Sequence, residues 1–278
     1  MTTTNPGPGL DVRALQALLA PRRDLDLMRA RIRAHLDTCE GYVAFSGGKD
    51  SLVALHLTRQ VAPHTPVAFF DSGLEFPETV DYITELADRW RLNLHVIPAR
   101  LTALEIMAGN GTWDHRAPTR HGPDLHQVLI TEPAAEAHDR FGAGEVWGVR
   151  SQESRGRAAA YANALRAQDC NHTPACDGRD RRARHGGRIA RVDGTVALGP
   201  VWDWTTEEIW GYITRHGLPL NPVYDKLRRL GAPEHAQRVS AMVDANQLTE
   251  GRFTWLARGW PGLFAELCLA LPRLREYS

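Results

Sequence analysis

The feature that most constrains this fold is a short apolar run that passes directly into a glycine loop and then into a helical stretch. Residues 42–45, Tyr-Val-Ala-Phe, are typical of a buried strand, and residues 46–51 read Ser-Gly-Gly-Lys-Asp-Ser. A helical pattern then runs from Asp50 to about Gln60. A strand, a glycine turn and a helix in this order predict the start of an α/β fold.

The same kind of unit recurs along the chain. Further strands are predicted at residues 67–70, 94–97 and 145–149, and an apolar helix face runs from Val80 to Trp90 behind Pro77. Helices are also predicted from Leu125 to about Arg140, at residues 155–167, and from a cap at Thr205 or Thr206 through Ile213. Strands that alternate with helices pair in parallel. We therefore expect an α/β fold with a Rossmann-like, doubly wound, mostly parallel sheet and helical extensions at both ends.

Four segments are expected. Residues 1–10, rich in Pro and Gly, predict a disordered tail, and residues 11–40 predict helices that Pro21 divides. Residues 41–233 form the predicted nucleotide-binding domain, which includes a hairpin around Asp193-Gly194. Residues 234–278 predict a helical extension with breaks at Gly251, Gly259 and Pro261.

Composition narrows the class of protein. The formal net charge is +0, which gives no global electrostatic case for nucleic acid or an anionic membrane. No run of about 18 apolar residues is present, and the first residues do not read as a secretory signal. Four cysteines are too few for a disulfide framework. We expect a cytoplasmic protein without a membrane partner.

The glycine loop has the chemistry of an anion site. The N-terminus of a helix presents unpaired N–H groups, and glycines let a phosphate approach them closely. Asp50 would repel phosphate, so it is expected to bind Mg²⁺ or to cap the helix. The residues expected to bind phosphate here are Ser46, Gly47, Gly48, Lys49 and Ser51. A plain strand-to-helix turn is the structural alternative.

Residues 46–51 resemble the PP-loop of the adenine nucleotide α-hydrolase superfamily. Residues 70–79, Phe-Asp-Ser-Gly-Leu-Glu-Phe-Pro-Glu-Thr, are similar to the second signature of its phosphoadenosine-phosphosulfate (PAPS) reductase family. Residues 148–154 resemble the arginine segment after the fourth strand, and residues 200–204 and 218–225 resemble the later signature. The resemblance runs in the family's order from about residue 40 to residue 230.

The resemblance implies a nucleotide at the carboxyl ends of the strands. It implies that Asp71, Ser72 and Gly73 line the adenosine pocket, and that Arg150 and Arg155 hold phosphates or a second substrate. Lys49, Asp50 and Arg150 are the expected catalytic residues, with Asp50 as the metal ligand. Asp203 and Tyr224 are further candidates, balanced against structural roles.

PAPS reductases use a cysteine in a C-terminal Glu-Cys-Gly-Leu-His segment, which this chain lacks, and Cys268 lies in an apolar helical pattern. The Cys-Cys and Cys-x-x-Cys pairs of the iron–sulfur relatives are also missing, so no cluster is expected. We therefore expect cleavage of ATP between its α- and β-phosphates with Mg²⁺, giving AMP and pyrophosphate, as an adenylyl-transferring enzyme in sulfur metabolism.

Relatives with that chemistry include the small subunit of bacterial sulfate adenylyltransferase and the ATP pyrophosphatases of DNA phosphorothioation. The latter work beside a cysteine desulfurase, so a sulfur-transfer partner is an expectation, with DNA as a weaker one. A homodimer stays open. The alternatives are a PAPS reductase that releases sulfite through an unexpected thiol, and a nucleotide-binding module without turnover that regulates a partner.

Two further patterns lie between residues 150 and 191. Cys170, His172 and Cys176, with His185, have a spacing that metal ligands use, but a polar loop with unrelated side chains is favoured. Ten arginines face four acids in this stretch. That excess is expected to serve ATP or to be solvated, and less to contact DNA phosphates.

Overall fold

The strand and helix pattern predicts the fold seen in a computed structural model of the 278-residue chain. The structure describes residues 12–111, 122–153, 159, 162–163, 186–243 and 251–277. The predicted N-terminal tail and most of the predicted helix at 155–167 lie outside the described residues. The candidate metal ligands Cys170, His172, Cys176 and His185 lie outside them as well.

The centre of the molecule is one sheet of six strands in the order β3-β2-β1-β4-β6-β5. All neighbouring pairs are parallel except β5 and β6, which form the predicted antiparallel hairpin. The strands are β1 Gly41–Ala44, β2 Pro66–Asp71, β3 Asn93–Pro98, β4 Gly144–Trp147, β5 Arg188–Ala190 and β6 Val196–Leu198. This arrangement confirms the predicted Rossmann-like α/β class.

Helices cover the sheet and continue beyond it at both ends of the described chain. They are α1 Val12–Leu19, α2 Leu25–Thr38, α3 Lys49–Arg59, α4 Pro77–Trp90, α5 Ala103–Asn110, α6 Glu132–Phe141, α7 Thr206–Arg215, α8 Val223–Arg229, α9 Arg252–Gly259 and α10 Pro261–Ala270. The break between α1 and α2 falls at Pro21, as predicted. No helix in the described ranges has the length and hydropathy needed to cross a bilayer.

Local sequence explains where the helices begin. Pro77 occupies the first turn of α4, where its missing N–H costs nothing. Helices α5 and α7 each begin with a capping box, in which Thr102 pairs with Glu105 and Thr205 pairs with Glu208. Thr205 was one of two predicted caps for α7.

Helix α3 is the central helix of the core. Its side chains from Leu52 to Leu55 and Leu57 are buried, because the helix lies between the sheet and α7. A helix that is apolar nearly all round belongs inside a protein. Its first turn, which carries the glycine loop, is therefore held in place by packing along the rest of the helix.

Two helical predictions need correction. The helix expected from Leu125 to about Arg140 contains a π-helical segment, Gln127–Thr131, before α6 begins. Pro133 in the first turn of α6 lacks the N–H that a continuous α-helical ladder needs there. The C-terminal tail was expected to be helical from about Glu234. After a short 3₁₀ turn, residues 237–243 are not helical, because their backbone packs against the loop after β2.

Candidate functional site

The glycine loop follows the carboxyl end of β1 and leads into α3, as the sequence predicts. Gly47 has a φ of +72°, a conformation that side-chain-bearing residues rarely adopt, and an added Cβ would stand 3.2 Å from the side chains of Ile83 and Thr79. Gly48 is the residue that flanks the start of α3, and it has no side chain with which to cap the helix. Asp50 does not cap the helix either, because both of its carboxylate oxygens accept hydrogen bonds from side chains.

Asp50 instead joins two cations. Its Oδ2 accepts a hydrogen bond from Nζ of Lys49 at 2.7 Å, and its Oδ1 accepts one from Nε of Arg150 at 2.6 Å. Arg150 is 3% exposed and Asp50 is 7% exposed. Burial of this kind strengthens charge interactions, because little water screens them. Two positive charges and one negative charge therefore meet at the first turn of α3.

Arg150 is rigidly placed by its surroundings. One terminal nitrogen of its guanidinium donates to the carbonyl of Trp204 at 3.2 Å, and the backbone N–H of Arg150 donates to the carboxylate of Glu153. The chain reaches it through Gly148, where a Cβ would stand 2.3 Å from the backbone nitrogen of Ser51. Only a glycine allows the residues after β4 to approach α3 this closely.

The loop hydroxyls and Tyr224 complete the first turn. The hydroxyls of Ser46 and Ser51 lie 3.2 Å apart, and Ser51 donates to the carbonyl of Gly48. The hydroxyl of Tyr224 accepts a hydrogen bond from the backbone N–H of Lys49 at 2.9 Å. Tyr224 thus lies at the loop itself, where an incoming anion would have to meet or displace its hydroxyl.

A buried hydrogen-bond chain behind the loop could not be read from the sequence. Nδ2 of Asn221 donates to the carbonyl of Gly47 at 3.3 Å and to the hydroxyl of Thr79 at 3.0 Å. Thr79 in turn donates to the carbonyl of Val239 at 2.6 Å. Thr79 and Asn221 both lie in segments that resemble the family, which marked them as candidate site residues. Nothing in the sequence indicated that the two side chains contact each other.

The end of β2 carries the residues expected at the adenosine. The carboxylate of Asp71 accepts from the N–H of Gly73 at 2.8 Å, and Ser72 donates to Glu75 at 2.7 Å. Burial raises the pKa of Glu75 to about 7, opposed by the Ser72 hydrogen bond and assisted by the charge of Asp71. Glu75 was missed by sequence reasoning, and its position within the second signature was the only signal.

The structure brings seven predicted residues to one place: Ser46, Gly47, Gly48, Lys49, Asp50, Ser51 and Arg150. Asp71 is the last residue of the neighbouring strand β2, and Ser72 and Gly73 follow it. Asp203 does not join the loop through its carboxylate, which pairs with Arg23 at 3.1 Å. Arg155 lies outside the described residues.

The predicted metal site rests on a single carboxylate. Across the described parts of the chain, no group of three or more His, Cys, Asp or Glu side chains could hold a metal ion. Mg²⁺ often takes only one or two protein carboxylates and completes its shell with water and substrate phosphates. Asp50 fits that limited role if a nucleotide draws Lys49 or Arg150 away from it.

Comparisons with known proteins identify the family of the chain. A model of the phosphoadenosine phosphosulfate reductase domain family matches residues 40–236. A phosphoadenosine 5′-phosphosulfate reductase of Serratia proteamaculans is 29% identical over 191 residues, which cover 67% of this chain and 66% of that protein. The enzyme of that name from Xanthomonas oryzae pv. oryzae is 28% identical over 232 residues, covering 81% of this chain and 84% of that protein.

The similarity to solved structures is weaker than the similarity to these relatives. A PAPS reductase from Candida auris in complex with phosphate has a TM-score of 0.47 at 16% identity, covering 82% of this chain and 97% of that chain. An ammonia-dependent NAD synthetase from Campylobacter jejuni has a TM-score of 0.44 at 13% identity, covering 90% and 92%.

Proposed function

The chain belongs to the phosphoadenosine phosphosulfate reductase domain family, and on that premise we propose that it is an enzyme whose loop 46–51 binds the anionic tail of an adenine nucleotide. One observation carries the proposal. Lys49 and Arg150 converge on the first turn of α3, directly after the two glycines of the loop. Backbone amides and cations at a helix N-terminus are a favourable site for phosphate.

Release of sulfite from PAPS is the reaction that the relatives support best, and it was the sequence-based alternative rather than the first expectation. In that reaction a thiolate attacks the sulfate sulfur, the sulfur–oxygen bond to the 5′-phosphate breaks, and adenosine 3′,5′-bisphosphate leaves. A second thiol then attacks the sulfur of the first thiol, which now carries the sulfonate group. This step forms a disulfide and releases sulfite. A dithiol protein would supply both electrons.

The described cysteines do not offer the thiol that this reaction needs. Cys39 ends α2 just before β1, so it lies at the amino end of the strand whose carboxyl end carries the loop. Cys268 is 2% exposed within α10. A reductase would therefore use Cys170, Cys176 or a thiol of the reducing partner.

Cleavage of ATP between its α- and β-phosphates is the second candidate. It is favoured by the two cations at the loop, which neutralise a leaving pyrophosphate without any thiol. Asp50 would hold Mg²⁺, whose charge offsets that of the phosphates when it is bound. A sulfur-transfer partner, DNA phosphorothioation and a homodimer remain predictions of the sequence.

Parallel assays on the purified protein separate the two reactions. One mixture contains PAPS with a reduced thioredoxin-type protein and is assayed for sulfite. The other contains ATP and Mg²⁺ and is assayed for AMP and pyrophosphate. We expect sulfite release that is retained in Cys268→Ser, the buried-thiol control. Loss of sulfite release in the Cys170→Ser/Cys176→Ser double variant would assign the attacking thiol to this chain, and retention would assign it to the reducing partner.

Other results would favour the second candidate reaction or exclude the proposed function. AMP and pyrophosphate without sulfite would establish the second candidate, whereas ADP as the only product of ATP would exclude it. A protein that neither binds nor converts adenine nucleotides would refute the proposed function altogether, leaving only the fold.

A further inference from the structure

A second cationic group stands beside the loop on a segment that the family comparison does not reach. Residues 237–243, here called the C-terminal strap, follow the last residue matched by the family model. The strap is fixed by hydrogen bonds from Thr79 to the carbonyl of Val239 and from the N–H of Ala241 to the carbonyl of Leu74. Its backbone therefore lies against the segment that follows β2.

The strap also reaches the glycine loop. A Cβ added to Gly48 would lie 3.8 Å from the side chain of Val239, which is ordinary contact distance. The hydrogen-bond chain from Val239 through Thr79 and Asn221 ends on the carbonyl of Gly47. Val239 is thus part of the wall of the proposed nucleotide site, and Arg238 is the residue that precedes it in the chain.

Arg238 places a positive charge next to that wall, and most of its hydrogen-bond donors have no acceptor among the described residues. The residue is exposed, and its guanidinium makes one long hydrogen bond of 3.5 Å, to the carbonyl of the preceding Gln237. Lys49 and Arg150, by contrast, are each held by Asp50. Within the described ranges no carboxylate pairs with Arg238, so its donors are available to a ligand.

The charge of Arg238 is felt at the loop. Burial raises the pKa of Tyr224 above its ordinary value and the charge of Asp50 raises it further, while the hydrogen bond from the N–H of Lys49 and then the positive charge of Arg238 lower it. The hydroxyl of Tyr224 is the group that accepts a hydrogen bond from the N–H of Lys49 in the first turn of α3.

We propose that Arg238 binds the tetrahedral oxyanion that follows the α-phosphate of the bound nucleotide. The inference rests on the proposed function and adds a specific contact to it. Lys49, Arg150 and Asp50 together carry one net positive charge, too little for the tail of a nucleotide with several ionised oxygens. A guanidinium fork suits a phosphate or sulfate group because it can donate two parallel hydrogen bonds.

Binding measurements with matched ligand pairs test this contact. ATP and AMP differ by the pyrophosphate, and PAPS and adenosine 3′,5′-bisphosphate differ by the sulfate. Calorimetry would be run on Arg238→Gln, Arg238→Lys and the wild-type protein, with Arg229→Gln as control. Arg229 is an exposed arginine at the end of α8, so its replacement makes the same charge change.

We expect Arg238→Gln to weaken the ligand that carries the extra oxyanion by about 10- to 100-fold, and its shorter partner by less than about twofold. Arg238→Lys should recover part of the loss because it keeps the charge without the fork. Arg229→Gln should bind as the wild-type protein does. A loss confined to ATP identifies a pyrophosphate subsite, and one confined to PAPS identifies a sulfate subsite.

Three outcomes would overturn the contact. Equal losses for both members of each pair would mean that Arg238 acts on the whole site, and unchanged affinities would mean that it does not touch the ligand. If Arg229→Gln weakened binding equally, the loss in Arg238→Gln would be due to the change in net charge and not to a specific contact. If the wild-type protein binds no adenine nucleotide, the proposed function fails instead. Circular dichroism and thermal melting check that each variant is folded, and Arg238→Lys keeps the test valid if the glutamine variant is not.

Discussion

Nε of Arg150 donates a 2.6 Å hydrogen bond to Oδ1 of Asp50, and the two residues are almost completely buried. The pair joins the segment after β4 to the first turn of α3, and Lys49 contacts the other oxygen of the same carboxylate. The carboxylate of Asp50 therefore holds the side chains of Lys49 and Arg150 in place. A nucleotide tail would compete with Asp50 for them.

Removing one member of this pair should be costly. Arg150→Met keeps much of the side-chain volume but leaves Asp50 with Lys49 alone, and loss of a buried partner typically destabilises a protein by about 3–5 kcal/mol. Urea denaturation measures the change in the free energy of unfolding. Arg140→Met is the control, because Arg140 pairs with Glu136 at the exposed surface, where a pair contributes about 0.5 kcal/mol. Similar losses in both variants would show that burial of the Arg150 pair does not matter.

The hydroxyl of Tyr224 should contribute to stability without being essential to the fold. Tyr224→Phe keeps the ring, which packs edge-on against Trp210, but leaves the N–H of Lys49 without its acceptor. An unsatisfied buried donor costs about 1–3 kcal/mol, and we expect a loss in that range by chemical denaturation. Exposed Tyr277 provides the matched Tyr→Phe control, expected to change stability by less than about 0.5 kcal/mol. A Tyr224→Phe variant as stable as the wild-type protein would indicate that water replaces the hydroxyl.

Gly148 and Gly109 should respond to alanine in opposite directions. A Cβ at Gly148 would collide with backbone atoms of Ser51, so Gly148→Ala must displace either α3 or the segment after β4. We expect a lower melting temperature and weaker nucleotide binding. Gly109 lies in α5 with open space where a Cβ would stand, so Gly109→Ala should stabilise the protein by about 0.5–1 kcal/mol. Equal melting temperatures for both variants would contradict the close approach.

Glu75 should make stability depend on pH near neutrality. Its pKa of about 7 in the folded protein lies above its ordinary value of 4.5, mainly because of burial. The folded state therefore binds the proton more tightly, so this contribution to stability is complete below pH 4.5 and is lost as the pH rises through 7. Glu75→Gln should flatten the curve and exceed the wild-type protein in stability above pH 7 by about 1–2 kcal/mol. Parallel curves between pH 5 and pH 8 would argue against this shift.

Much of the fold could be predicted because it depends on local signals. The apolar run before the loop, Pro77 at the start of α4 and the Asp193-Gly194 turn each specify nearby structure from a few residues. The phosphate-binding residues of the loop were predicted from the glycine turn between a strand and a helix, and Arg150 was found through the family resemblance. Their contact follows from the pairing of β1 with β4, which carries the two segments to the same edge of the sheet.

The rest depends on contacts between residues far apart in the chain. Thr79 and Val239 are joined by a hydrogen bond across 160 positions, and no periodic pattern indicates such a pair. For the same reason the strap was mistaken for a helix. Its backbone bonds to the carbonyl of Leu74, a partner that helical propensity does not take into account.

The stacking of Trp260 on Phe76, with ring centroids 4.0 Å apart, has a practical consequence for shortening the protein. Lys226 lies over the same indole, and Glu78 accepts hydrogen bonds from both Lys226 and Trp260. A fragment that stops at residue 236, where the family match ends, would expose Phe76 and leave Glu78 with one fewer donor. Expression clones trimmed to that boundary should yield insoluble material, and useful truncations must keep α9 and α10.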